Sequence, residues 1–576
     1  MTIVFTALHF ANFRNFESVI RTLAERGHRV HLLADEREEF GGQALAERLA
    51  AAHPGVTWGW APSPVREPWF PVAQKLRYAL DYVRFLAPRY ADVPKLRLRN
   101  IKRTPRLIRW LSVLGHRPVT ALLTWYERTL PTSPSVQDFF RRERPDVLLL
   151  TGLTFSRSFA LEQLKAARAL GIRTAACIMS WDHLSSKALL HLPPDRTLVW
   201  NPVQKIEATD MHGLEPARVV VTGAQCYDQW FDRQPTASRT AFCDRLGLEA
   251  SRPFLLYVCS TMSPAPDPLE PHFVRQWILA LRASDNPVLR DIGVLVRPHP
   301  ERVKEWQGVS LEGIPNVAMH GRMPLDGDAK ADYFDSLYHS RAVVGLCTSA
   351  FIEAAVVGRP VMTLLLPEYR MHQDGMAHFR YLTTVEGGLL HVADDMTGHL
   401  RQLTDVLAAP EGREDRNRRF LTAFVRPGGL EHAATPEFVG AVEALGAEPS
   451  PSPDPAFAAD PARPSLAGRL AVAGTRGVGR WLLMDDQDYE RMASEHERVE
   501  EKQAILSDRA ARREAEQRER EARLRAKAEQ REAKARERAR RERDQQWRRW
   551  RYVVGTSAPV VRVKNSLRHL LGGRPQ

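Results

Sequence analysis

Three short polar segments, each following an apolar run, hold side chains whose chemistry exceeds what a connecting loop requires. The first is Gly345-Leu-Cys-Thr-Ser-Ala-Phe-Ile-Glu-Ala-Ala-Val-Val-Gly-Arg-Pro-Val-Met-Thr363. Thr348 and Ser349 are good N-caps, and the free amides behind them, with the helix dipole, form a seat for a diphosphate. Glu353, one turn further on, can accept two hydrogen bonds from vicinal ribose hydroxyls. An ordinary capped helix in which Glu353 complements the dipole is the plainer account of the same residues. The second is Val296-Arg297-Pro298-His299-Pro300. Arg297 could clamp a phosphate in bidentate fashion and His299 could donate to a leaving phosphate, on a loop stiffened by two prolines. The plainer account is a turn with a surface histidine. Ser260 and Thr261, after the apolar run Pro253–Cys259, offer further hydroxyls and amides to such a phosphate.

The third segment is Ser180-Trp181-Asp182-His183-Leu184-Ser185-Ser186-Lys187. Asp182 is suited to deprotonate an acceptor hydroxyl and Lys187 to hold an anionic acceptor, with Trp181, Ser185 and Ser186 beside them. A polar turn in which Asp182 caps a short helix is the alternative. His9, just past the first apolar run, is the second candidate base, although a lone histidine is more often structural.

These segments need strand ends to carry them, and the sequence supplies strands. The run Thr2–Leu8, a helical pattern over Phe16–Arg26, Gly27 and the run Arg29–Leu33 set a strand–helix–glycine–strand rhythm. It recurs at Asp146–Leu150, Ser158–Leu170, Gly171 and Arg173–Met179, then at Thr197–Trp200 and Arg218–Thr222. It restarts at Pro253–Cys259, Ile292–Val296, Ala342–Leu346 and Pro360–Leu365. The expected fold is α/β: two Rossmann-like parallel-sheet domains facing a cleft, followed by a disordered linker and a long charged helix. The boundaries read as 1–232 for an acceptor domain carrying a basic helical insert at 93–110, and 233–445 for a nucleotide-donor domain. A Pro/Ala-rich linker then covers 446–494, a charged single helix or coiled-coil-like rod 495–551, and a basic amphipathic tail 552–576. Gly223–Asp228 marks the crossing between the two domains, with Gly223 required by the backbone.

The charge is unevenly placed. Of the net +13 over 576 residues, Glu495–Gln576 carries 24 Lys and Arg against 14 Asp and Glu, a net of +10, so the body is nearly balanced. Pairs such as Glu514–Arg518 and Glu532–Arg536 set acid before base at i,i+4, each adding about 0.2–0.5 kcal/mol to a helix. The chain has no G-x-G-x-x-G after its first strand, no P-loop, no H-E-x-x-H and no G-x-S-x-G, which counts against dinucleotide oxidoreductases, P-loop NTPases, zincins and common serine hydrolases. The five cysteines form no C-x-x-C pair, so neither a zinc knuckle nor a disulfide framework is expected. No apolar run is long enough to span a bilayer and the N-terminus lacks a signal-peptide pattern, which points to the cytoplasm.

The 345–363 segment resembles the donor-binding helix of GT-B glycosyltransferases, where Glu-Ala, small residues, Gly and Pro-Val recur. Leu23-Ala-Glu-Arg-Gly-His-Arg-Val30 is similar to the opening of that superfamily, and the likeness covers about 1–445. Val296–Pro300 with Thr348-Ser349 is most similar to the CDP-glycerol glycerophosphotransferase and capsule polysaccharide transferase branch. Where that branch has Asp-Tyr-Ser-Ser, this chain has Cys347-Thr348-Ser349-Ala350. The resemblance implies a metal-independent transferase without a cofactor, moving a glycosyl or glycerophosphoryl group from a nucleotide-activated donor to a cell-surface glycan or lipid-linked acceptor. It places His9 where several inverting members keep their base. A non-catalytic adaptor on a degenerate GT-B fold and a UDP-GlcNAc 2-epimerase-like enzyme are the alternatives. Basic residues interleaved with Trp, Leu, Ile and Val over Val93–Trp110 and Trp547–Leu571 suit an anionic membrane surface, at the inner face of the plasma membrane, and no nucleic acid is expected.

Overall fold

Phe10, Phe13 and Phe16 are spaced by three, the period of a 3₁₀-helix, and all three are buried in the turn Phe10–Phe16. Phe5 in the first strand meets Phe13 and Phe16 edge-on at 5.3 and 5.1 Å. This aromatic wedge fixes the chain leaving the first strand and turns Asn12, Arg14 and Asn15 away from the core. The architecture follows from such strand-end loops set on two buried parallel sheets. The computed structural model describes residues 1–457 apart from 39–40, 68, 102, 261–268, 322–323, 325 and 410–414, together with 469–470, 472–474, 541–549, 551, 562 and 564–567. The described residues fall in two compact units, one within Met1–Tyr489 and one within Glu490–Gln576.

In the first unit β1 (Thr2–Ala7), β2 (Arg29–Ala34), β3 (Val56–Trp60), β4 (Val147–Leu150), β5 (Arg173–Cys177), β6 (Arg196–Val199) and β7 (Val219–Val221) form one sheet. Its order is β3-β2-β1-β4-β5-β6-β7, and all pairs are parallel, with Phe5 opposite Leu32 and Leu149. A second sheet holds β8 (Phe254–Val258), β9 (Gly293–Arg297), β10 (Val317–Met319), β11 (Ala342–Val344), β12 (Val361–Leu364) and β13 (His391–Ala393) in the order β10-β9-β8-β11-β12-β13. The central strands β1, β4, β5, β8, β9, β11 and β12 are almost wholly buried, which is why they appear in the sequence as continuous apolar runs. Each order reverses at its first strand, placing a crevice beyond the carboxyl ends of β1 and β4 and another beyond β8 and β11. The expected pair of parallel-sheet domains is therefore present.

Three features depart from the expected boundaries. The helix Ala434–Ala447, assigned from sequence to the second domain, packs Phe438, Val439, Val442 and Leu445 into the core of the first sheet. Asp228 anchors its start, accepting from the amides of Ala434 (3.0 Å) and Thr435 (2.7 Å) and from Arg426 (2.8 Å). Gly223, at φ +83°, lies where a Cβ would stand 2.6 Å from Ala434, so the crossing excludes any larger residue.

The expected linker also begins as a packed strap. The Arg173 guanidinium donates to the Glu448 carbonyl (2.7 Å), Asp454 N to the Arg168 carbonyl (3.0 Å), and Thr132 to the carbonyl of buried Phe457 (3.0 Å). Of the rod, residues 495–540 and 550 lie outside the described residues; 541–549 and 551 are helical. Of the tail, 562 and 564–567 are helical and the rest lies outside the described residues.

The basic stretch 93–110 belongs to a larger helical insertion between β3 and β4, with helices at Phe70–Arg84, Pro94–Ile101, Arg106–Leu111, His116–Thr129 and Pro134–Glu143. Val93, Leu96 and Ile108 are buried, so that half of the stretch packs on its own domain. A buried charge cluster fixes the insertion: Glu127 receives Arg77 at 2.8 Å and Lys165 at 2.7 Å, while Arg77 also bonds Glu162. All five cysteines are free. Among the described residues no helix is long and apolar enough to cross a membrane.

Candidate functional site

The crevices of the two sheets open on one cleft of about 540 Å³. From the first sheet it is lined by Asn12, Arg14 and Asn15 after β1, Phe155 after β4, and Met179–His183 with Lys187 after β5. From the second sheet come Arg297–Glu301 after β9 and Cys347–Ala350 with Glu353 after β11. Cys226, Tyr227, Gln229, Trp230 and Arg233, on the crossing between the domains, close one side.

The strand-end motifs are thus brought together: Trp181, Asp182 and Lys187 share the cleft with Arg297, His299, Thr348, Ser349 and Glu353. Asp182 Oδ1 accepts from the Ser180 hydroxyl at 2.6 Å, and Lys187 Nζ lies 3.3 Å from Oδ2. Burial pushes this carboxyl upward, but Lys187, the neighbouring His183 and His378 rings and the Ser180 hydroxyl outweigh it and hold the group well below the usual carboxylate range. Trp181 stands edge-on to His378, ring centres 4.8 Å apart. Burial lowers His378 to about 4, and its Nδ1 has no partner among the described residues.

On the opposite wall the Tyr333 hydroxyl donates to Glu353 Oε2. Burial raises the Glu353 pKa, with Tyr333 and Arg14 acting against it. Tyr333 and Lys330 are three residues apart in the helix Gly327–His339, so both face the cleft. Lys330 reaches across to Glu17 of the first domain at 2.6 Å. His299 Nδ1 accepts from Glu301 N at 3.3 Å, so the neutral ring carries its proton on Nε2, and burial lowers its pKa. The described lining holds Arg14, Lys187, Arg233, Arg297 and Lys330 against Asp182, Glu301 and Glu353, an excess of two positive charges.

Other candidates fall elsewhere or are otherwise engaged. Arg297 borders the cleft, but its Nη1 donates to Asp332 (2.8 Å) and Ser336 (2.7 Å), and its guanidinium stacks over Tyr333 at 5.1 Å. It braces the helix carrying Lys330 and Tyr333 in place of the expected free phosphate clamp. Ser260 gives its amide and hydroxyl to Glu270 Oε2 at 2.9 and 2.8 Å and is not in the lining, so its expected phosphate contact is replaced by a buried carboxylate. Thr261 lies outside the described residues.

Ser185 and Ser186 are buried and donate to the Asp182 carbonyl at 3.4 and 2.7 Å; they close the turn of the short helix His183–Ser186 and do not line the cleft. His9 Nδ1 sits 3.3 Å from the Glu36 carbonyl, and His9 is not among the residues that line the cleft. Thr348 Oγ1 accepts from Ala350 N at 3.3 Å, while Ser349 at the N-cap makes no side-chain cap bond. Sequence reading missed Arg14, Lys330, Tyr333 and His378. For Arg14 a signal existed in the three-residue phenylalanine spacing around it; the other three lie on helices without a motif.

No protein-family model matches the chain, and no curated protein sequence matches it. Solved structures with a similar overall course include a putative UDP-N-acetylglucosamine 2-epimerase from Listeria monocytogenes (12% identity, covering 79% of this chain and 98% of that one, TM-score 0.46). Another is the UDP-GlcNAc 2-epimerase from Neisseria meningitidis bound to UDP-GlcNAc (12%, 77% and 100%, TM-score 0.46). A third is a glycosyltransferase from Rickettsia africae (11%, 78% and 99%, TM-score 0.45). Likenesses at these values carry neither a family nor an activity to this chain.

Proposed function

We propose that the cleft binds a nucleotide-activated donor and that the protein is a metal-independent transferase, moving a glycosyl or glycerophosphoryl group to a glycan or lipid-linked acceptor. One observation carries this reading: the switch points of two parallel sheets meet on a single cleft, where cationic groups surround a carboxylate suited to a ribose. In this reading Arg14 and Arg233 neutralise the diphosphate, joined by Lys330 once it leaves Glu17, and His299 Nε2–H donates to the phosphate that leaves. Glu353, oriented by Tyr333, accepts from the ribose hydroxyls. Thr348 and Ser349 border the same phosphate.

On the acceptor side Asp182 takes the proton of the attacking hydroxyl as the bond to the donor's reactive centre forms and the nucleotide departs. Its basicity is low while Lys187 is paired with it. An anionic group of the substrate that draws Lys187 away raises the Asp182 pKa when the base is needed. Trp181, buried at the edge of the cleft, borders the acceptor.

The test is calorimetric titration of the full-length protein with UDP-, CDP-, GDP- and CMP-linked donors, followed by assay with and without acceptor. Saturable binding of one donor and acceptor-dependent release of its nucleotide support the proposal. Turnover of UDP-GlcNAc without any acceptor would move the assignment to an epimerase. Absence of binding to every donor would leave the adaptor reading.

A further inference from the structure

The insertion between β3 and β4 exposes large apolar side chains that no described element covers. Trp110 (71% exposed), Val113 (85%), Leu114 (71%) and Trp125 (60%) follow one another along the short helix Arg106–Leu111, the turn Ser112–Leu114 and the helix His116–Thr129. The last helix has two distinct faces. Val119, Leu123 and Glu127, at four-residue intervals, are buried, and Glu127 is fixed by Arg77 and Lys165; Leu122 and Trp125 point the other way. The exposed residues therefore stand on a firmly held scaffold. At the tip Gly115, at φ +100°, turns the chain directly after Val113 and Leu114 and leaves both in solvent.

Charge identifies the occupant. Between Asp92 and Asp138 the chain holds nine Lys and Arg and a single acidic residue, Glu127, which is buried and paired. Arg106, Arg117 and Arg128, on the two helices that flank the apolar tip, are exposed. A surface with protruding aliphatic side chains, flanking tryptophans and uncompensated guanidinium groups matches an anionic bilayer, where acyl chains take the tip, the headgroup region takes the indoles and phosphates take the cations.

We infer that residues Trp110–Trp125 form a docking surface for an anionic phospholipid membrane. This shifts the centre of the expected patch, because two basic residues of the earlier half are engaged within the fold: Lys95 contacts His372 and Arg99 donates to the Ser186 carbonyl. The helix Pro94–Ile101 that carries these contacts joins the surface to the wall of the cleft, so a lipid-borne substrate arriving at the tip is brought toward Lys187 and Asp182. The inference rests on exposure and charge at the insertion and not on the donor reading.

The test is co-sedimentation of the full-length protein with vesicles of phosphatidylcholine alone and of phosphatidylcholine with phosphatidylglycerol, without nucleotide, so its outcome is separable from donor binding. The protein should pellet with the anionic vesicles only and release as salt is raised. The combined substitution Val113→Ser, Leu114→Ser and Trp125→Ser, all at exposed positions, should lower the vesicle partition at least tenfold with an unchanged melting temperature. Removing residues 546–576 should leave most of the binding. Wild-type partition in the triple variant, loss of binding only in the truncated chain, or a change of oligomeric state without a change in vesicle binding would each overturn the inference.

Discussion

Lys187 Nζ stands 3.3 Å from Asp182 Oδ2 while the Ser180 hydroxyl holds the other carboxylate oxygen at 2.6 Å. A base so engaged is a poor one until its partner leaves, and this gives the pair a kinetic signature. Asp182→Asn should lower turnover about 10²–10⁴-fold with donor affinity unchanged, because it removes proton transfer and not donor contact. Lys187→Met removes the largest opposing charge, so the Asp182 pKa rises and the acid limb of the pH–rate profile moves to higher pH. A profile unmoved in Lys187→Met would separate Asp182 from the proton transfer.

The donor wall has its own paired test. Tyr333→Phe leaves the buried Glu353 carboxylate without its hydroxyl donor, and Glu353→Ala removes the carboxylate itself. Both should weaken donor binding, Glu353→Ala by about tenfold, or ~1.4 kcal/mol, with little loss of stability. Titration of both variants with the donor that binds wild type checks this.

A buried carboxylate between the domains predicts a pH effect on stability. Burial raises Glu207 to about 7 although the Tyr381 hydroxyl donates to it at 2.7 Å. A carboxyl raised in the folded state holds a proton there that the unfolded chain has already released, so stability contributed by this group falls as pH rises from about 4.5 to about 7. Glu207→Gln should remove that slope, gaining on the order of 2 kcal/mol over wild type at pH 8 relative to pH 5. Urea unfolding at the two values reads it, and parallel shifts in variant and wild type would contradict the assignment.

The insertion is held by charge in a dry place. Glu127 sits between Arg77 and Lys165, where burial opposes ionisation but the two cations prevail and set its pKa at about 2. Removing one member of such a cluster leaves the others buried without compensation, so Glu127→Ala should cost about 3–5 kcal/mol, seen as a lowered urea midpoint. Arg77→Ala should act in the same direction.

Much of this architecture was legible in the sequence, for a specific reason. Strands buried on both faces, such as β1, β4, β8 and β11, are uninterrupted apolar runs, and their ends announce the ligand edge. Strands β3, β10 and β13 at the sheet margins were missed because β10 and β13 are only three residues long and β3 is partly polar, as in Val56-Thr-Trp-Gly-Trp60. The motifs after β5, β9 and β11 were found because chemistry concentrates at strand ends. What sequence could not show is the partner of each polar group. Nothing near Ser260 reveals that Glu270 takes its hydroxyl, or that Asp332 and Ser336 take Arg297. The return of Ala434–Ala447 to the first sheet was equally hidden, since its apolar pattern fits either domain and only the Asp228 anchor decides.

The central claim is that one nucleotide-activated donor occupies the cleft between Arg14 and Glu353. Its most direct measurement is calorimetric titration of full-length wild type, Arg14→Ala and Glu353→Ala with the UDP-, CDP-, GDP- and CMP-linked donors. The account predicts one saturable site for one of these donors in wild type and about tenfold weaker binding in each variant. Binding that is unchanged in both variants, or absent from wild type for all four donors, would contradict it.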